Sequence, residues 1–339
     1  MMNKLSAWIF LLIPLAFISC DNELDVNGPF QENTIVYAIL DPAQDTQWVR
    51  VQRAFMGDQG ADGGRNNPDS LYYSQLQVKV TELFNGNRTE HILTKDSTSR
   101  QLEDGYFTTE GFHLYRFEAP VNPDASYELE ITRPDSTLVT SFTPIVGDFN
   151  INSPNSFQRL TFARPSGQDI GYSRAVNGRI YQGYIRFYYK EQNRFSFYDT
   201  ANYYLDFPLV TQYSSSLDGQ GVDISQNVGY DDFFGFLVAN LEADPNINRF
   251  FKHCDIFITS GEDDFATYLN VTRPSNGIVQ DRPNFTNINN GLGLFSSKNL
   301  SERLVVDLSV RSLDSLYFSD LTCDLRFGKP ATLDTLFCQ

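Results

Sequence analysis

Strict alternation constrains this chain more than any other feature. Leu76-Gln77-Val78-Lys79-Val80-Thr81 and Tyr127-Glu128-Leu129-Glu130-Ile131-Thr132 carry apolar residues at every second position. A helix cannot gather such residues on one side, whereas a strand with one buried and one solvated face requires that spacing. Further strands are expected at Thr34–Leu40, Val49–Phe55, Leu114–Glu118 and Leu138–Phe142, separated by the turn sequences Asn85-Gly86-Asn87 and Asn122-Pro123-Asp124. Short strands at this density, punctuated by turn residues, predict an immunoglobulin-like β-sandwich over 30–146.

After Asp148 the strand signals become aromatic: Tyr184–Tyr189, Phe195–Tyr198 and Tyr203–Phe207, then His253–Thr259, Leu304–Leu308 and Leu321–Phe327. One helix is expected near 231–243, because Phe233, Phe234, Leu237, Val238 and Leu241 recur at helical spacing between a capping Asp231 and Asp244-Pro245. The chain therefore reads as mainly all-β, with a second β-rich domain at 147–339 that packs at least one helix. The 46 Phe and Tyr residues serve as sheet core and cross-strand pairs, or as a stacking surface for sugars.

The N-terminus carries an address. Lys4 precedes the apolar run Leu5–Ile18, which at 14 residues is shorter than the roughly 20 needed to span a bilayer. Phe17-Ile18-Ser19-Cys20 resembles a bacterial lipobox, so 1–19 is expected to be a removed signal peptide and 20–29 a lipidated tether. The Cys20 thiol would take the diacylglyceryl chains, and more than one acyl chain is needed for stable membrane attachment. The mature chain would hold 25 basic and 42 acidic residues, a balance of −17. Such a chain is a poor ligand for nucleic acid.

Motifs that would carry chemistry are sparse. His91, His113 and His253 lie far apart, and no H-E-x-x-H, G-x-S-x-G, phosphate-cradling glycine loop or C-x-x-C pair is present. Glu262-Asp263-Asp264 and Asp231-Asp232 are candidate carboxylate pairs for glycoside hydrolysis, but turns and a helix cap account for them as well. Asp58, Asp62 and Asp69, in the glycine-rich loop Gly57–Asp69, lack the spacing of a calcium loop. No catalytic residue, metal site or cofactor is expected. Of the cysteines left after Cys20, the pair Cys323 and Cys338 is expected to form a disulfide, and Cys254 to be a buried thiol. Ser70, Ser97, Ser136, Thr200, Ser315 and Thr335 each follow an aspartate, as O-glycosylation acceptors do and as turn residues do.

Glu32–Leu40, Tyr127–Pro134 with Thr140–Pro144, and above all Asn284-Phe285-Thr286-Asn287-Ile288-Asn289-Asn290-Gly291-Leu292-Gly293-Leu294-Phe295 resemble Bacteroidota lipoproteins grouped under a domain of unknown function. Cys323-Asp324-Leu325-Arg326 is similar to that family's cysteine-bearing tail. Asp21, Glu23 and Asp25 resemble the acidic tether such bacteria use for surface export, although both faces of the outer membrane stay open. Gly291 and Gly293 are expected to relieve a tight turn. The resemblance implies an outer-membrane lipoprotein that works beside a TonB-dependent β-barrel receptor. The expected function is a non-catalytic binding or accessory module contacting that barrel through Tyr184, Tyr188, Tyr203 and Tyr204. The alternative is a carbohydrate-binding or carbohydrate-active surface lipoprotein, its small-molecule or glycan ligand unknown.

Overall fold

The structure is a computed structural model that describes residues 32–54, 71–96, 113–196, 198–273 and 285–328. Its first eight strands are β1 (Thr34–Leu40), β2 (Thr46–Arg53), β3 (Gln77–Phe84), β4 (Asn87–Ile92), β5 (Thr94–Asp96), β6 (Leu114–Glu118), β7 (Ser126–Thr132) and β8 (Leu138–Pro144). They form two facing layers, β1-β2-β6-β5 and β4-β3-β7-β8. With strands lettered in chain order, this is the ABED sheet against a C′CFG sheet of an immunoglobulin-like sandwich.

Alternation does what it predicts. Val36, Ala38, Leu40, Val49, Val51, Tyr115 and Phe117 from one layer meet Val78, Val80, Tyr127, Leu129, Ile131 and Val139 from the other in one buried cluster. Each fully buried Val, Leu or Ile contributes about 1.5–3 kcal/mol relative to exposure. Two local devices set the register. Asn85 and Gly86 take φ of 50° and 79°, the left-handed pair that a two-residue hairpin between β3 and β4 demands. Tyr127, at the start of β7, accepts the Asn122 N–H at 2.9 Å and donates to Glu82 Oε2 at 2.7 Å, forming the tyrosine corner of such sandwiches.

The remaining elements are β9 (Ile151–Ser153), β10 (Gln168–Tyr172), β11 (Ile180–Asn193), β12 (Thr200–Pro208), β13 (Gln212–Tyr213), β14 (Ile224–Val228), helix α1 (Tyr230–Asn240), β15 (Ile247–Gly261), α2 (Asp263–Thr272), β16 (Gly291–Val306) and α3 (Val310–Phe318). The chain is thus mostly β with packed helices. Among the described residues no helix is long and apolar enough to cross a membrane.

The division expected at 146/147 falls between two cores and not between two sheets. One cluster runs to Ile145 and borrows Ile288 and Phe295; the other begins at Val146 and ends at Phe327. The sandwich layer itself continues, because β16 pairs in parallel with β1 to give the order β12-β11-β15-β16-β1-β2-β6-β5, with β13 also on β11. Asn33–Gln339 accordingly makes one unit.

Gly291 and Gly293 do not form a turn; they open β16. Gly293 holds φ at 115°, and a Cβ there would lie 2.0 Å from the Val36 carbonyl oxygen. The glycines thus let β16 approach β1. Asn287 locks the same seam: its Oδ1 accepts the Phe295 N–H at 3.0 Å, and its carbonyl accepts Ser141 Oγ at 2.8 Å from β8.

The inner face of β11 and β15 is covered by the small sheet β14-β10-β9 and by α1. Phe233 stacks on Phe162 at 3.8 Å and meets Phe187 of β11 at 6.0 Å. Asp232, rather than Asp231, caps this helix, through Gly229 N at 3.1 Å. The helix ends at Asn240, short of the expected Asp244-Pro245, because Leu241 turns extended and packs into the core. Leu321–Phe327 is a 3₁₀ turn at Cys323–Leu325 and not a strand. Its alternation arises because Cys323, Leu325 and Phe327 all turn inward.

Candidate functional site

β11 explains why an aromatic strand can serve two surfaces. Ile185, Phe187 and Tyr189 are buried against the helix-covered core, so Tyr184, Arg186 and Tyr188 stand on the opposite, outward face. Pairing then assembles their neighbours. Tyr184 lies opposite Phe257, Arg186 between Asp206 and Asp255, and Tyr188 between Tyr204 and His253.

The centre of this surface is Arg186. Its Nε and Nη2 reach Asp206 Oδ1 and Oδ2 at 2.7 and 2.8 Å, a two-pronged pair that fixes the guanidinium plane. So held, it lies over the rings of Tyr204 (4.3 Å), Tyr184 (5.2 Å) and Phe257 (5.6 Å). The hydrogen bonds to Asp206 keep the guanidinium pKa above its ordinary value, and burial pushes the Tyr184 phenol up. Tyr184 stacks on Phe257 at 4.9 Å, and Tyr188 on His253 at 4.5 Å. The result is a face of paired rings around one cation that Asp206 neutralises. It is apolar at its rings and polar at their rims, the chemistry of a contact surface.

Three of the four expected tyrosines share this face. Tyr203 does not: it points to the other side of β12 and stacks on Tyr189 at 5.7 Å. Arg186 and Phe257, and the place of His253 beside the tyrosines, come into view only through the β11–β15 register. Phe195–Tyr198 is expected as a strand, but Phe195 and Tyr198 lie in the β11–β12 connection, 80% and 94% exposed. Asn193 Oδ1 accepts the Phe195 N–H at 2.9 Å, so a side-chain turn replaces the ladder there.

The acidic pairs have structural partners. Glu262 is the N-cap of α2, where Oε2 accepts Asp264 N at 2.9 Å and Ser296 Oγ at 2.8 Å. Burial holds its carboxyl above the ordinary glutamate value. Asp263 pairs with Arg179 at 2.6 Å, Asp264 accepts Asn287 Nδ2 at 2.8 Å, and Asp231 pairs with Arg164. Each histidine packs on a ring: His91 on Phe117 and His113 on Tyr72, besides His253. Among the described residues no group of three or more His, Cys, Asp and Glu converges as for a metal ion.

Cys254 is a free, wholly buried thiol with its pKa raised by desolvation. Cys323 is disulfide-bonded, and Cys338, expected as its partner, lies outside the described residues, as does Cys20. Ser70, Ser97, Thr335 and the loop Gly57–Asp69 fall outside them too. Ser136 is exposed in a turn that Asp135 closes onto Thr137 N, and Thr200 is exposed at the start of β12. Ser315, weighed as an acceptor or a turn residue, is half-buried within α3 and sits in no turn.

Sandwich, extended sheet and ring-bearing face together define a β-rich protein with an exposed aromatic surface. No protein-family model matches the chain, and no curated protein is significantly similar to it.

Proposed function

We propose that this chain is an exported lipoprotein, tethered to the outer membrane through Cys20, that acts as a non-catalytic binding module for a β-barrel receptor in the same membrane. The observation that carries the reading is the ring face around Arg186. Tyr184, Tyr188, Tyr204 and Phe257 lie on the open side of a sheet, where a solvated face ordinarily carries polar side chains. The ring face suits a protein contact, whereas glycoside hydrolysis would need two free carboxylates in it. Its flanking carboxylates, Asp206 and Asp255, are already engaged by Arg186 and by the Val305 N–H. A lipid tether would confine the face to the membrane plane and raise its effective concentration near any barrel there.

The test is purification of the lipidated protein from its own outer membranes, wild type beside Tyr188→Ala/Tyr204→Ala. A barrel receptor is expected to co-purify with wild type and to be lost from the variant, since central Tyr anchors are worth about 2 kcal/mol or more. Retention of a barrel by the folded variant, or a soluble glycan eluting from wild type instead, would refute the reading.

A further inference from the structure

β12 terminates the nine-stranded sheet, and its hydrogen-bonding pattern can be fixed residue by residue. Asn193 N–H donates to the Asp199 carbonyl at 3.0 Å, and Leu209 N–H to the Gly183 carbonyl at 2.9 Å, bracketing the β11–β12 ladder. In an antiparallel pair, alternate residues bond the neighbouring strand and the others face away. The odd-numbered residues of β12 therefore bond β11. Thr200, Asn202, Tyr204 and Asp206 turn N–H and C=O outward, and Pro208 turns a carbonyl. Among the described residues no strand pairs with that side.

Edges of this length are normally blunted by lysine, proline, a bulge or brevity. Other outer strands are blunted or covered: β5, at the other end of the same sheet, is three residues long, β4 carries Arg88 and Glu90, and β8 is bridged at Thr140 by Asn289. β12 has nine residues, no Lys or Arg, proline only at its last position and no register shift against β11. It is exposed on both faces from Thr200 to Tyr204.

We propose that the outer edge of β12 receives an extended segment of another protein as an added strand. A row of outward main-chain donors and acceptors is matched by the backbone of a strand. One side of the incoming strand would lie beside the Tyr204 ring and the other beside Tyr203, so apolar or aromatic residues at alternating positions fit both. The chain's net charge of −16 disfavours an acidic segment and a second copy of this chain, so the occupant is a neutral or basic segment. This inference concerns main-chain pairing, whichever protein supplies the strand. It is separable from the ring face, because Asn202→Pro removes an outward N–H while leaving the β11 ladder and the rings in place.

The experiment selects short random peptides, displayed as a library, on the mature protein. Enriched peptides are expected to lose about tenfold or more in affinity for Asn202→Pro. The same peptides with alternate amides N-methylated are expected to lose as much on wild type, a control that does not depend on the variant folding. Absence of enriched peptides, or affinities indifferent to both changes, would overturn the proposal. So would a concentration-dependent dimer that Asn202→Pro dissolves, because the occupant would then be a second copy.

Discussion

Two residues hold positions whose consequences can be measured singly. Tyr127 is fully buried, yet its hydroxyl serves both the Asn122 N–H and the Glu82 carboxylate. Tyr127→Phe keeps the ring and strands both partners, so a loss of about 1–3 kcal/mol is expected in urea unfolding, with the slope unchanged. Glu262 offers a pH test. Its folded pKa is raised by burial above the unfolded value, so its favourable contribution is full below the unfolded pKa. That contribution is lost as pH rises through the folded pKa. The stability of wild type minus that of Glu262→Gln should therefore fall as pH is raised above the ordinary glutamate range. A difference that grows with pH would show that Glu262 is stabilised as the anion.

At the scale of elements, the seam between β16 and β1 joins the two cores, and Gly293 is its tightest point. Gly293→Ala would meet the Val36 carbonyl in a backbone conformation that L residues avoid, and about 2–4 kcal/mol should be lost. Gly86→Ala, at φ of 79° but in open space, should cost only about 1 kcal/mol. Equal losses in urea unfolding would mean that close approach does not matter at the seam. The contrast also marks what a sequence discloses. β1 and β6 are legible to their end residues because short β-branched and aromatic runs bounded by polar and turn residues define them locally. The pairing of Thr34–Leu40 with Gly291–Ser297 is not, since the partners are far apart in sequence. Helix α2 escapes notice because Ala266 is its only fully buried residue, too few to leave a period. The ring face is partly legible: Tyr184, Tyr188 and Tyr204 can be named, but aromatics at both parities of Tyr184–Tyr189 conceal which side faces the core.

For the whole molecule, one sheet runs from the sandwich to an open aromatic end. With the tether proposed at Cys20, an acidic chain with such a ring face would wait beside a partner in a membrane plane. The most direct test places a photo-crosslinking residue at position 204, on the ring face, and a control at Phe142, which is 51% exposed on the opposite layer of the sandwich. Both would be irradiated in intact cells, with the Cys20→Ser form of each alongside. The account predicts that position 204 captures an integral β-barrel protein, that position 142 does not, and that Cys20→Ser abolishes the capture. Capture of no barrel from position 204, or equal capture from both positions, would contradict it.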